Sequence, residues 1–388
     1  MRARSACWVL LAATLEAQTL VRDGLDWVET QTGFASTGGM TRLRVEARGL
    51  VVVQGGGGNQ IAYRVRNRVR AVTQEDARRV LELVRPQVRG SAGAMVVSVP
   101  IRDLPVTTEL EVRVPTGMRI ADIVNERGEV ILRDLPLDVD VVTGGGRVDA
   151  DRLAGRLGAR TGGGEIRLGH IGGAVRAISG GGTIHARHIG ANSRLETRAG
   201  EIFIDQAVED VYASTGAGNV QVMRAGGSVD AYTVGGLIRV VEAGGTVTAD
   251  NGGGVTQVGS ARGVRCESTS GAIRLSGVAG ELMATTGLGS IFAELLAGRA
   301  MLNSILETGG GDITVTIPSN LSVTVQAISE SGRMGGIITE FPEIRLQNPH
   351  QDQRGSGGRA VATGALNGGG PLLKVAAARG AVYLKRRR

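Results

Sequence analysis

His170 and His188 stand 18 residues apart, with His185 beside the second. Two or three imidazoles can bind zinc or copper when a cysteine or carboxylate completes the set. No cysteine and no regularly placed acid accompanies these three, so they read as turn or solvated histidines and no metal is expected. Glu165, Glu201 and Asp205 are the carboxylates a glycosidase would draw on, since that chemistry needs two acids at a fixed separation. Spacing alone does not establish such a pair. Cys266 follows Val264 by two, which places it on an apolar face. It reads as a small buried hydrophobe rather than a nucleophile. Phe203, Tyr212, Tyr232 and Phe292 are the aromatic candidates for a binding surface, in a chain with only 3% aromatics. Core or turn packing is their plainer reading. There is no Gly-x-Ser-x-Gly elbow and no Gly-x-x-x-x-Gly-Lys loop, so a serine nucleophile and a phosphate cradle are both unsupported. A lyase would need Asp, Arg and Lys on one face, and no lysine precedes Lys374. The expectation is a non-enzyme with no catalytic residue, no cofactor and no metal.

The element that must position all these residues is a repeat. Thr143, Thr161, Ser179, Thr197, Thr215 and Thr233 recur every 18 residues, the first three each followed by Gly-Gly-Gly. An aliphatic column keeps the same step through Val130, Val148, Ile166, Ile184, Ile202, Val220 and Ile238. It continues through Val255, Ile273, Ile291 and Ile313, with one step of 17 and one of 22. A second column runs nine residues behind it: Val139, Leu157, Val175, Val211, Val229, Val247, Val264 and Leu282, interrupted by Ser193. Each half-unit alternates apolar and polar residues, as a strand with one buried face does. Glycine marks the strand ends, and no proline occurs between Leu137 and Ile317, as strands paired on both sides require. The pattern predicts an all-β fold, a parallel β-solenoid with 18-residue coils and two strands per coil. Neighbouring coils bury what one coil cannot. The Thr/Ser column predicts a structural hydroxyl ladder. A calcium roll would need an acid at a fixed place in every unit. The residues after the first column are Arg167, His185, Phe203, Gln221 and Arg239, so that reading is set aside.

The ends of the chain read differently. Arg2 and Arg4, the apolar run Ala6–Ala13 and the small residues before Gln18 predict an export signal over residues 1–18. A small β-rich cap with one helix is expected over 19–105. Its helix should begin at Thr73-Gln74-Glu75-Asp76, with Thr73 as N-cap, and run to about Val84. The solenoid is expected over 106–330, then a loop, a closing coil and a basic tail over 331–388. The net charge is +7, yet the 44 basic residues include only two lysines and are interspersed with 37 acids. Lys385-Arg386-Arg387-Arg388 is the sole compact basic run, too short to indicate a specific nucleic-acid partner. No apolar stretch reaches the roughly 20 residues of a spanning helix.

The units Thr143-Gly-Gly-Gly, Thr161-Gly-Gly-Gly and Ser179-Gly-Gly-Gly, with Thr308-Gly-Gly-Gly-Asp-Ile and the terminal Gly368-Gly-Gly-Pro-Leu, resemble the DUF4097-type family of bacterial adhesin-like exported proteins. The resemblance covers about residues 40–385. It implies a right-handed β-helix-like fold and an envelope location, and it supplies no catalytic residue. The expected function is a non-enzymatic adhesin-like or envelope scaffold protein that meets an envelope or extracellular polymer or protein on a flat, Arg-rich face. The alternatives are a polysaccharide-active enzyme on the same fold and a structural element that self-assembles through its solenoid ends as a homo-oligomer.

Overall fold

A computed structural model of the chain describes residues 13–100, 103–297, 301–330, 336–347 and 359–387. The described residues are almost entirely strand, with one helix, Gln74–Glu82. They form a parallel β-solenoid in two compact units, Met1–Ala191 and Asn192–Arg388. Each unit is built from two sheets, here called A and B, and each coil lays one strand on each.

In the first unit the repeating coils stack in register. Val130, Val148, Ile166 and Ile184 pair in turn on sheet A, and Val139, Leu157 and Val175 on sheet B. All are buried. The outward residues between them are charged or polar, so alternation along the strand becomes two faces of a layer.

Why this chain turns where it does follows from the column of small polar residues. Thr143, Thr161 and Ser179 each donate a hydroxyl to the carbonyl of Gly128, Gly146 or Gly164 one coil below, at 2.8–2.9 Å. The Thr161 and Ser179 oxygens also accept from the amides of Gly164 and Gly182. One hydroxyl thus closes its own turn and ties it to the next, satisfying buried groups that would otherwise cost about 1–3 kcal/mol each. The expected hydroxyl ladder is present. The coils approach so closely here that a Cβ on Gly164 would lie 2.1 Å from the Gly146 oxygen, whereas one on Gly163 would meet nothing within 4 Å.

Toward the amino-terminal side the stacking order departs from chain order. The coil made by Arg42–Ala47 and Leu50–Gly55 lies between Ile120–Asn125/Val130–Leu135 on one side and Ala94–Ser98/Val106–Val114 on the other. Beyond it, sheet A ends in antiparallel strands: Val106–Val114 pairs with Gln60–Arg70, then Asp26–Ser36, then Ala13–Asp23. The helix begins where expected. Thr73 accepts from the Asp76 amide, Glu75 and Asp76 occupy the positive end, and Ala77 and Leu81 bury against Val69. It stops at Glu82, a little before the expected Val84. Most of the expected leader, residues 1–12, lies outside the described residues.

The second unit repeats the plan. Ile202, Val220 and Ile238 stack on sheet A, and Val211, Val229 and Val247 on sheet B. One position corrects the expected column. Thr256, not Val255, pairs with Ile238 and Ile273, and it is fully buried. The missing residue therefore falls after Thr256. The reason is local: Asn251 replaces threonine in the turn column, donating to the Gly236 carbonyl at 2.9 Å and reaching the Thr256 hydroxyl at 3.5 Å. A threonine has the shape of valine and adds the oxygen that this asparagine uses.

The order of coils changes here as well. Leu372–Ala377 and Val382–Arg387, read from sequence as the closing coil, are paired on both sides. They lie against Ser304–Thr308 and Ile313–Pro318 on one side, and against Val323–Ser329 and Ile337–Thr339 on the other. The outer coil is the earlier segment, and sheet B ends beyond it in antiparallel Ala360–Leu366 and three-residue Arg345–Gln347. The ladder follows spatial order: Ser329 donates to Gly380, and Asn125 in the first unit to Gly49.

Candidate binding face

The sequence-selected residues fall into place on this frame. His170 and His188 pair across adjacent strands, their rings parallel within 2° and 4.3 Å apart. Nitrogen lone pairs lie in the ring planes, so in this stack they do not converge on one ion. Among the described residues no group of three His, Cys, Asp or Glu is arranged to hold a metal. Glu165 is ion-paired to Arg167 at 2.7 Å, and Glu201 accepts from Asn219 at 2.8 Å. Glu201 and Asp205 are four positions apart along one strand path. Their backbone positions are thus roughly 13 Å apart at ~3.3 Å per residue. Cys266 is fully buried in an inward column, among Ala213, Ala231, Ala249 and Ala284, that runs on to Leu195 and Leu306. Burial pushes its thiol up to about 12, so it is neutral and out of reach.

The aromatics do come together. Tyr212 and Tyr232 are separated by one coil plus two residues, and both point outward on sheet B of the second unit. Tyr212 sits opposite Asp230, and Tyr232 opposite Ser214 and Asp250. Strands about 4.8 Å apart bring such diagonal neighbours into contact, and the ring centroids are 5.3 Å apart. The Arg194 guanidinium covers the Tyr212 ring at 3.9 Å and is itself bound by Glu196. Both rings are half-buried. Partial burial and then the charge of Asp230 raise the Tyr232 phenol above its ordinary value, which keeps it a neutral hydrogen-bond donor. The arrangement is a fixed aromatic shelf with Arg194 at one end and carboxylates at its edge. Phe203 and Phe292 lie instead on sheet A of this unit, where Phe292 is exposed beneath Arg274 at 5.7 Å.

The expected Arg-rich face is charge-matched at many points. Arg133 meets Asp149 at 2.9 Å, Arg152 meets Asp134 at 2.5 Å, and Arg224 meets Glu242 at 3.1 Å. Exposed pairs of this kind are worth only ~0–1 kcal/mol each, but they reduce the positive field that arginine content alone suggests. No helix among the described residues is long and apolar enough to cross a membrane.

No protein-family model matches the chain, and no curated protein sequence matches it. Among solved structures it is similar to a putative adhesin from Bacteroides fragilis NCTC 9343, with 13% identity over 57% of this chain and 96% of that one, at a TM-score of 0.34. It is also similar to a putative cell adhesion protein from Clostridium sporogenes ATCC 15579, with 9% identity over 93% of this chain and 100% of that one, at a TM-score of 0.21.

Proposed function

We propose that this chain is a non-enzymatic, exported interaction protein, an adhesin-like or envelope scaffold, which docks a polysaccharide strand on the Tyr212–Tyr232 shelf. The observation that carries the reading is the shelf itself. In a chain with four tyrosines, two stand side by side on one outward face, capped by an arginine. Tyrosine and arginine are enriched among the few residues that carry most of the binding energy at interfaces. A sugar ring lays its C–H face on such rings, while Asp230, on the strand of Tyr232, and Asp250, on the strand beside it, stand ready to accept its hydroxyls. Export rests on the leader-like residues 1–18.

The test is retention of purified residues 19–388 on a panel of envelope polysaccharides at low and high salt. The expected result is binding that survives salt and falls at least tenfold in the Tyr212→Ala/Tyr232→Ala double variant. Equal retention of the double variant would sink the shelf. Shortening of the added polymer would replace this reading with the enzyme alternative.

A further inference from the structure

The out-of-order stacking in the first unit builds a groove on sheet B that no single stretch of sequence contains. Its floor is Ala94 and Val96, outward residues that are nonetheless buried. They are covered because the inserted strand Arg42–Ala47 runs beside them and carries Arg42 and Arg44 on the same face, opposite Ala94 and Val96. The other wall is the hairpin that brings Arg89, joined by a turn in which Ala92 and Gly93 both take positive φ, 49° and 79°. The groove encloses about 390 Å³.

Three guanidinium groups therefore line a small apolar floor, against two carboxylates, Glu46 and Asp122. The two arginines on the inserted strand engage those acids through one nitrogen each. Arg42 Nε donates to Asp122 at 2.5 Å and Arg44 Nε to Glu46 at 2.6 Å. Their side chains stay about half exposed, 54% and 49%. The terminal amino groups are the part of a guanidinium that forks onto a planar oxyanion with two parallel hydrogen bonds. Here the acids take the Nε of Arg42 and of Arg44, and the terminal amino groups are not the atoms they engage. The volume exceeds what one inorganic anion fills and lies within the range of small-ligand sites, and the Ala94/Val96 floor suits the apolar side of a sugar ring.

We propose that this groove binds a carboxylate-bearing sugar, a uronic acid residue within a polysaccharide, with Arg42, Arg44 and Arg89 receiving the carboxylate. The site lies in the other unit from the tyrosine shelf and stands or falls independently of it.

Isothermal titration of the full chain with tetragalacturonate, its methyl ester and inorganic phosphate tests the assignment. The expected result is sub-millimolar binding of the acid form and at least tenfold weaker binding of the ester, with phosphate weaker still. Arg44→Gln should lower affinity for the acid form at least tenfold with an unchanged melting curve. Arg44→Lys should recover only part of the loss, because a point charge lacks the fork. Absence of binding, equal binding of acid and ester, or an unaffected Arg44→Gln variant would overturn the proposal. Phosphate binding as tightly as the tetramer would overturn the sugar specificity.

Discussion

Two neighbouring glycines in one turn should respond in opposite directions to the same added methyl group. At Gly164 the new Cβ would stand 2.1 Å from the Gly146 oxygen and 2.5 Å from its carbon, both backbone atoms of the coil below. Ordinary contact begins near ~3.4 Å, so the coils must part by more than ~1 Å locally; overpacking of this kind costs about 1–3 kcal/mol. The same displacement strains two hydrogen bonds, Thr161 to Gly146 at 2.8 Å and Gly164 to Thr161 at 3.0 Å, each worth about 1 kcal/mol net. Gly164→Ala is therefore expected to destabilise by roughly 3–5 kcal/mol. At ~2–4 °C per kcal/mol for a unit of this size, its melting temperature should fall by about 6–20 °C. At Gly163 the Cβ meets nothing within 4 Å and the backbone is outside the positive-φ region. Gly163→Ala should be neutral, or stabilising by up to about 1 kcal/mol through loss of unfolded-chain freedom. Melting of both variants by circular dichroism decides the matter. If Gly164→Ala melts within 2 °C of the parent, or the two variants lose stability equally, the close-approach argument is wrong.

Ile202 is fully buried in the sheet A column opposite Val220, so Ile202→Asp places a charge in the core at a cost of several kcal/mol; soluble expression and far-ultraviolet dichroism should both fail. Hydrogen bonding from Arg152 holds the Asp134 carboxyl below the usual range. The folded state then binds that proton less tightly than the unfolded chain, whose carboxyl titrates near ~3.9. The contribution is present above that value and lost as the pH falls through the lower folded one, so Asp134→Asn should flatten the acid limb of melting temperature against pH between about 5 and 2. Cys266 occupies an alanine slot with a suppressed thiolate. It should react with a thiol reagent only after denaturation, and Cys266→Ala should cost less than about 1.5 kcal/mol.

The solenoid was legible because its signal is periodic. Any stack of like coils forces the residue at a given place to repeat, and the Thr/Ser and aliphatic columns state both the step and the inward face. Tyr212 and Tyr232 were also recoverable, since an offset of one coil plus two residues keeps a side chain on the same face. What sequence could not express was which coil lies against which. Periodicity gives the height of a layer, not its neighbour, so nothing in Arg42–Gly55 or Leu372–Arg387 announced that these coils are inserted between others. The groove of Arg42, Arg44 and Arg89 was hidden for the same reason: its walls adjoin only through that insertion. The Val255/Thr256 shift had a simpler cause, a buried threonine that hydropathy alone ranks below the valine beside it.

The inserted coils also impose a timetable. During vectorial synthesis, strands Val323–Ser329 and Ile337–Thr339 emerge before Leu372–Ala377 and Val382–Arg387, yet they pair upon them. The outer layer must wait, exposed, until the layer beneath it arrives. In the first unit the segment 42–55 likewise emerges early and gains both of its neighbours only once residues through 135 are free. Neither edge can zip up coil by coil as the chain appears. Each closes late, like a clasp, once the layer beneath it has arrived.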